Sequence, residues 1–313
     1  ASNNTAVGYA ALTANTTGTN NVAVGKDALD SNTTGDNNTA VGVDALQANT
    51  TADDSTAVGH GALAVSTGAS NTAVGKYAGV AITTGTYNNL IGGLAGDALT
   101  DADYNVAIGG AALTADTLGS RSVAIGHAAL YTQNFTTATD AYNVAVGHNA
   151  GLAVTTGTNN VLIGGLAGDA ITDADGNVAV GSLALSTNTV GSASVAVGYA
   201  ALSTQNPSTA TQMYNVAVGQ NAGAAVTTGT RDTLIGGLAG DALTTGSFNV
   251  AVGYTSLGAT TTGALNVALG DAALNLNTTG STNTALGQAA LSSNTTASNN
   301  TAVGYAALTA NTT

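Results

Sequence analysis

One short sequence motif returns through the whole chain at a nearly constant interval. It first appears at residues 4–8 as Asn-Thr-Ala-Val-Gly, and eighteen copies end in a glycine. Of the seventeen intervals between these glycines, fourteen are 17 residues, one is 16 and two are 21. A fixed period of this length indicates a repeat architecture, in which each copy adds one unit to a stack.

The repeat is numbered here from its asparagine as position 1. Position 3 is Ala or Leu, position 4 is always aliphatic, position 5 is Gly, and position 15 is usually Gly. Positions 2 to 4 alternate in the manner of a strand, which predicts an all-β parallel β-solenoid (β-roll) of about 18 turns. At a strand spacing of ~4.8 Å these turns would form a rod ~85 Å long. We expect position 4 inside the roll, and position 3 in a second close contact, such as one with a neighbouring chain.

A coupled variation supports a packed interior. Six copies carry Gly at position 9, where the others usually carry Leu, and the same six copies carry an aliphatic residue at position 12, which is otherwise polar. We interpret this as one core volume filled from two backbone positions, because an unfilled site would leave a destabilising cavity. The residues at positions 9 and 12 are Gly79 and Ile82, Gly96 and Leu99, Gly151 and Val154, Gly168 and Ile171, Gly223 and Val226, and Gly240 and Leu243.

Charge and composition exclude several classes of function. The net charge is -13, with four Lys and Arg residues, and there is no Cys. Nucleic acids and anionic membrane surfaces need clustered bases, so neither is an expected partner. No apolar run reaches the ~18 residues of a membrane span, so no membrane insertion is expected in this segment. The chain offers no set of nucleophile and base, and we expect no enzyme activity. We interpret the three histidines, which share position 6, as residues of a solvated corner.

The chain is expected to be a single continuous solenoid over residues 1–313. A longer super-repeat of four turns covers residues 75–146 and 147–218, and residues 1–17 are identical to residues 297–313. The identical ends predict either a segment of a longer repetitive chain or a body that stacks end to end.

Clustered aspartates suggest one metal hypothesis. Calcium prefers several oxygen ligands, and loop carboxylates can supply them. The alternative is that these residues only keep the turns soluble, and that alternative remains open. No cofactor is required in either case. The candidate Ca²⁺ ligands are Asp97, Asp101 and Asp103, and their equivalents Asp169, Asp173 and Asp175.

Two turns with four extra residues, within residues 131–142 and 203–214, are candidate binding loops, because insertions in solenoids often form the binding face. Their candidate residues are Tyr131, Asn134, Phe135, Asp140, Asn206 and Met213. Tyr87 and Tyr104, at position 17 of adjacent turns, are either exposed stacked aromatics suited to sugar or partner contact, or part of a packed corner or of an interface between chains. Asparagine at position 1 is expected to form a hydrogen-bonded ladder along the stack.

The motif resembles the head repeats of trimeric autotransporter adhesins, the YadA-like family, most closely at residues 105–109 and 122–126. It is also similar to repeats of phage tail fibres and large bacterial surface proteins. The resemblance covers the whole chain and implies a left-handed β-roll, a homotrimer and adhesion at the cell surface. The unit here, at 17 residues, is longer than the family's head unit.

These observations predict a structural or adhesive extracellular fibre. Self-association, as a homotrimer or an end-to-end filament, is the expected partnership, and a host-surface glycan or protein is a further candidate partner. A phage tail fibre is the alternative location. The alternative function is an ice- or carbohydrate-binding solenoid that uses the threonine column of Thr16, Thr33 and Thr50 or the inserted loops.

Overall fold

The structure is a computed structural model that describes residues 1–312. Within those residues there is no helix, and the strand pairings given for each unit are all parallel. The prediction of an all-parallel β-solenoid of about 18 turns with a 17-residue repeat is confirmed. The chain divides into two compact units, Ala1–Thr156 and a second that begins at Gly157.

In the first unit, nine three-residue strands form the main sheet, one from each turn. Two further strands of two residues pair with each other beside the inserted loop. The strands are β1 (Thr5–Val7), β2 (Val22–Val24), β3 (Thr39–Val41), β4 (Thr56–Val58), β5 (Thr72–Val74), β6 (Asn89–Ile91), β7 (Val106–Ile108), β8 (Gly119–Ser120), β9 (Val123–Ile125), β10 (Thr139–Asp140) and β11 (Val144–Val146).

The second unit repeats this arrangement, again with nine three-residue strands and one short pair, β14 with β16. Its strands are β12 (Val161–Ile163), β13 (Val178–Val180), β14 (Gly191–Ser192), β15 (Val195–Val197), β16 (Thr211–Gln212), β17 (Val216–Val218), β18 (Thr233–Ile235), β19 (Val250–Val252), β20 (Val267–Leu269), β21 (Thr284–Leu286) and β22 (Thr301–Val303).

Equivalent positions of successive turns lie side by side. Ala6 pairs with Ala23, and the hydrogen bonds run from Thr5 N to Asn21 O at 2.8 Å and from Gly25 N to Val7 O at 2.8 Å. The corners follow the same register, since Leu12 N donates to Ala28 O at 3.0 Å. Each turn therefore satisfies the backbone of the next one over most of its length, and strands of three residues suffice.

The expected orientation of the strands was wrong. Position 3 points into the roll, and its alanines, such as Ala23 and Ala40, are fully buried. Position 4 points outward, so that Val41 is 36% exposed and Ile91 is 42% exposed. The physical reason is space, because a turn of 17 residues encloses a narrow interior in which a methyl group at position 3 fits beside the buried residues at positions 8 and 9.

Asparagine side chains at positions 1 and 12 line this interior and are hydrogen-bonded along the stack. At position 1, Asn21 Oδ1 accepts from Asn38 N at 2.9 Å, and Asn21 Nδ2 donates to Gly35 O at 2.7 Å. At position 12, Asn32 Nδ2 donates to the same carbonyl at 3.1 Å. The predicted asparagine ladder is confirmed. Buried amides are tolerated here because each one pairs with backbone groups that would otherwise be left unsatisfied.

The glycine at position 5 is required by both conformation and space. All eighteen of these glycines have φ between 126° and 143°, a region that side-chain-bearing residues rarely adopt. A Cβ on Gly25 would also lie 2.6 Å from the carbonyl carbon of Gly42 in the next turn. The glycine that closes each copy of the motif therefore allows two adjacent turns to touch.

The structure confirms that the residues at positions 9 and 12 fill one core volume. It also shows a third residue in that volume, which the sequence did not indicate. Ile82 is fully buried, and a Cβ on Gly79 would lie 3.1 Å from Ile82 Cδ1. It would also lie 2.7 Å from Leu90 Cδ1 and 3.0 Å from Leu63 Cδ2. The leucine at position 3 of the following turn thus helps to fill the volume that a position-9 leucine fills elsewhere.

We expect Gly79→Leu to destabilise the first unit by ~1–3 kcal/mol, because the new side chain overpacks a filled site. Leu90 also lies against Gly96, since a Cβ there would be 2.9 Å from Leu90 Cδ2. The compensated variant therefore changes both turns, as Gly79→Leu/Ile82→Asn/Leu90→Ala/Gly96→Leu/Leu99→Asn, which restores the common pattern and should regain most of this loss. Urea unfolding followed by circular dichroism measures both effects.

The control is Gly93→Ala, since the nearest atom to a Cβ at that position is Lys76 O at 4.0 Å. Equal destabilisation by the single and the compensated variants would contradict the shared-volume interpretation.

Candidate functional site

The outward surface of each main sheet is an uncharged, largely aliphatic face. It consists of the position-4 side chains, here called the aliphatic strip, flanked by Thr, Val or Asn at position 2. In the first unit the strip is Val7, Val24, Val41, Val58, Val74, Ile91, Ile108, Ile125 and Val146. In the second unit it is Ile163, Val180, Val197, Val218, Ile235, Val252, Leu269, Leu286 and Val303.

The strip is unusual for a solvent-facing surface. Nine strands at ~4.8 Å spacing and a width of ~10 Å give roughly 400 Å² per unit, which lies within the ~300–600 Å² of the largest apolar patch on a typical single soluble chain, a patch that is often functional. No Asp, Lys, Arg or His occurs in positions 2 or 4, although the chain has a net charge of -13. Constant aliphatic character at position 4 predicts burial, so the sequence alone does not reveal this exposed face.

The first cluster of predicted calcium ligands makes hydrogen bonds between turns. Asp103 Oδ1 accepts from Thr86 N at 2.6 Å and from Thr86 Oγ1 at 2.8 Å. The carboxylates of Asp101 and Asp97 accept from the hydroxyl groups of Thr84 and Thr114, respectively. Each of these aspartates satisfies donors of an adjacent turn.

The second cluster is similar in part. Asp175 Oδ1 accepts from Thr158 N at 2.7 Å, and Asp173 Oδ1 accepts from Thr172 Oγ1 at 3.2 Å. Asp169 is half-buried, and burial raises the pKa of its carboxyl group. Within residues 1–312, no group of three or more His or Asp side chains lies close enough together to hold a metal ion. The geometry therefore gives the calcium hypothesis no support.

The inserted loops contribute to the interior as well as to the surface. Phe135 is 6% exposed and Met213 is fully buried, so neither is available as a binding residue, contrary to expectation. A Cβ on Gly119 would lie 2.7 Å from Phe135 Cδ2, and one on Gly191 would lie 3.1 Å from Met213 Cγ. Each inserted loop therefore packs an apolar side chain against the preceding turn.

The other loop candidates lie on the surface. Tyr131 is 41% exposed. Asn134 Oδ1 accepts from Thr117 Oγ1 at 3.0 Å, and Asn206 Oδ1 accepts from Thr189 Oγ1 at 2.7 Å, so both continue the bonding between turns. Asp140 forms an ion pair with Arg121, with 2.9 Å between Oδ1 and Nε.

A buried polar network anchors the first inserted loop. Gln133 Nε2 donates to Asp116 Oδ2 at 2.6 Å and to Ser122 Oγ at 3.0 Å, and Gln133 Oε1 accepts from Asn143 Nδ2 at 2.9 Å. Burial raises the pKa of Asp116, and its hydrogen bonds from Gln133 and from backbone amides oppose that rise. The network explains how polar side chains remain inside this turn.

The aromatic residues at position 17 form a stacked column. The rings of Tyr87 and Tyr104 are 5.2 Å apart and 1° from parallel. Arg121 follows in the same column, with its guanidinium carbon 5.0 Å from the centre of the Tyr104 ring and 6.0 Å from that of Tyr142. Because the facing sides of the two tyrosine rings cover each other, that space does not receive a sugar ring. Both side chains are nonetheless about half exposed, Tyr87 at 52% and Tyr104 at 48%, so the column is an exposed aromatic stack and not a packed corner.

The threonine column at position 13 is bonded along the stack. Thr16 Oγ1 donates to Thr33 O at 3.0 Å, and Thr33 Oγ1 donates to Thr50 O at 2.9 Å. These hydroxyl protons serve the next turn, which weakens the case for ice or carbohydrate binding by this column.

One buried acid interrupts the asparagine column. Asp232 occupies position 1, and its Oδ1 accepts from Asn249 N at 2.8 Å and from Asn249 Nδ2 at 3.1 Å. Its Oδ2 is buried without a partner, because a carboxylate lacks the amide donor that Asn249 directs to Gly263 O at 3.0 Å. Burial raises the pKa of Asp232 to about 7.

Comparison with known proteins assigns no family. No protein-family model, no curated protein and no solved structure matches the chain. Residues 1–312 contain no helix with the length and apolar character that a bilayer crossing requires. No pocket is found among the described residues. The resemblance to YadA-like repeats therefore stays a prediction, and the exposed faces are the features from which a function can be argued.

We expect Asp232→Asn to stabilise the second unit at pH 8 by on the order of 2–4 kcal/mol and to have little effect near pH 4. The raised pKa means that the folded state holds a proton that the unfolded state has lost between pH ~4 and ~7. Wild-type stability therefore falls as pH rises through that window, and the amide removes this fall.

Urea unfolding at several pH values checks this dependence, with the exposed Asp271→Asn as the matched control. An advantage of Asp232→Asn that is constant from pH 4 to 8 would show that its titration is not the cause.

We expect Phe135→Ala to destabilise the first unit by ~3 kcal/mol or more, because it empties a buried site. Tyr131→Ala removes a half-exposed ring from the same inserted turn and should cost much less. Thermal unfolding compares the two variants, and equal losses would argue that the buried ring has no special role.

Proposed function

We propose that this chain is a structural protein that assembles with copies of itself into a fibre or filament through the aliphatic strip. The observation that carries the proposal is the combination of solvent exposure with invariant aliphatic character at position 4. Position 6 lies two residues further on and carries Tyr, Lys, Val, His, Gly, Ser, Gln or Asp. If position 4 were an unrestricted solvent-facing position, it would be expected to show a variety of residues similar to that at position 6.

Electrostatics favours this face as the contact between copies. Two chains of net charge -13 repel each other, and the repulsion is weakest where both surfaces lack charge. The Val, Ile and Leu side chains of position 4 also carry no polar atom that would lose water when a second strip covers them. The strip of one unit, at roughly 400 Å², supplies about half of the ~800 Å² that one partner buries in a standard protein interface.

The extracellular, adhesive and homotrimeric parts of the hypothesis rest on the resemblance alone. Self-association is supported independently by the strip, and it does not require a particular number of copies. Regular hydrogen bonding between turns suits a load-bearing role, because each turn is held by its neighbours along the chain.

We expect the wild-type protein to sediment as an assembly of several copies at ~100 µM, and Val41→Asp/Val58→Asp to sediment as a single chain. The variant places charges inside an apolar contact, where they would be desolvated without partners. Analytical ultracentrifugation measures the change, and electron micrographs show whether filaments are lost.

The matched control is Val43→Asp/Val65→Asp, which adds the same charge at exposed valines outside the strip. It should retain the assembly. A wild-type protein that stays a single chain at this concentration would overturn the proposal, as would equal disruption by both variants when circular dichroism shows both folded.

A further inference from the structure

The sequence places two histidines at position 6 of adjacent turns in the first unit, directly after Gly126 and Gly147. In the structure the rings of His127 and His148 are 5.4 Å apart between centres and 13° from parallel, and both side chains are exposed. They lie 21 residues apart in sequence, because the first inserted loop separates them. The pair has no role in the interior or in the aliphatic strip.

The backbone holds the two residues at a fixed separation. Gly147 N donates to Ile125 O at 2.8 Å just before the pair, and Asn149 N donates to His127 O at 3.0 Å just after it. The two Cα atoms are thereby kept near the ~4.8 Å spacing of adjacent strands. Only side-chain torsions remain to be ordered when both rings bind the same ion, so the pair is partly pre-organised.

The surroundings leave access to a ligand. The residue that precedes His127 in the column is Gly110, and a Cβ there would lie 3.7 Å from His127 Cδ2, so no side chain covers that flank of the ring. The chain's net charge of -13 attracts cations in general. Imidazole nitrogens are suited to copper, nickel and zinc, and Cu²⁺ binds most tightly in the order of divalent first-row metals.

We propose that His127 and His148 form a two-histidine surface site for divalent transition-metal ions, with Cu²⁺ preferred. One nitrogen from each ring binds the ion at ~2.0 Å, and water completes the coordination. The remaining histidine provides an internal comparison. His60 stands at the same position between Val43 and Lys76, so its column offers no second imidazole in an adjacent turn.

The test is titration of Cu²⁺, and separately Ni²⁺, into the full chain without an affinity tag at pH 7.5. Isothermal calorimetry should give one ion per chain. His127→Ala and His148→Ala should each weaken the Kd about tenfold or more, because the second ligand acts at high effective concentration.

The matched control His60→Ala should leave the Kd unchanged. Electron paramagnetic resonance of the Cu²⁺ complex should show coupling to two imidazole nitrogens in the wild type and to one in His127→Ala. Circular dichroism checks that these exposed substitutions leave the fold intact. Equal binding by wild type and the His127→Ala/His148→Ala double variant would overturn the proposal, as would an equal loss in His60→Ala.

Discussion

The structure depends on hydrogen bonding between equivalent residues of successive turns. Because Thr5 bonds at residue 21 and Val22 bonds at residue 38, a position in the repeat becomes a continuous column along each unit. A side chain at one position must then pack against the equivalent side chains of the two adjacent turns, which lie one strand spacing away. Alanine, glycine and asparagine satisfy this condition inside the roll, and threonine satisfies it at the corner by bonding to the next carbonyl.

The narrow interior has consequences for the surface. A turn with room for alanine at positions 3 and 8 and for leucine at position 9 has little space left for a second aliphatic column. The valines and isoleucines of position 4 therefore lie outside, where they form the aliphatic strip. Since the acids are confined to other columns, the same geometry that limits the core produces a neutral face on a strongly acidic chain.

The irregular turns show which changes of residue type a position in the repeat tolerates. The inserted loops are anchored by Phe135 and Met213, and a polar network around Gln133 satisfies the altered interior of the first loop. Asp232 is accommodated less well, because Oδ2 has no donor in a column built for an amide. Where a residue matches its column, as Ile82 does beside Gly79, the core volume is conserved although the sequence changes.

The sequence by itself determined the period, the parallel β-solenoid, the asparagine ladder and the exchange between positions 9 and 12. These can be read from the order of residues alone, since a fixed period and a restricted residue type at one position of the repeat need no knowledge of the three-dimensional structure. Only the tertiary structure decided which face of each strand is buried. Positions 3 and 4 are both apolar, so alternation alone could not choose between Ala23 and Val24, and the width of the closed turn made the choice. The partners of the aspartates were decided in the same way, because Asp103 and Thr86 are 17 residues apart in sequence and meet only when the turns stack.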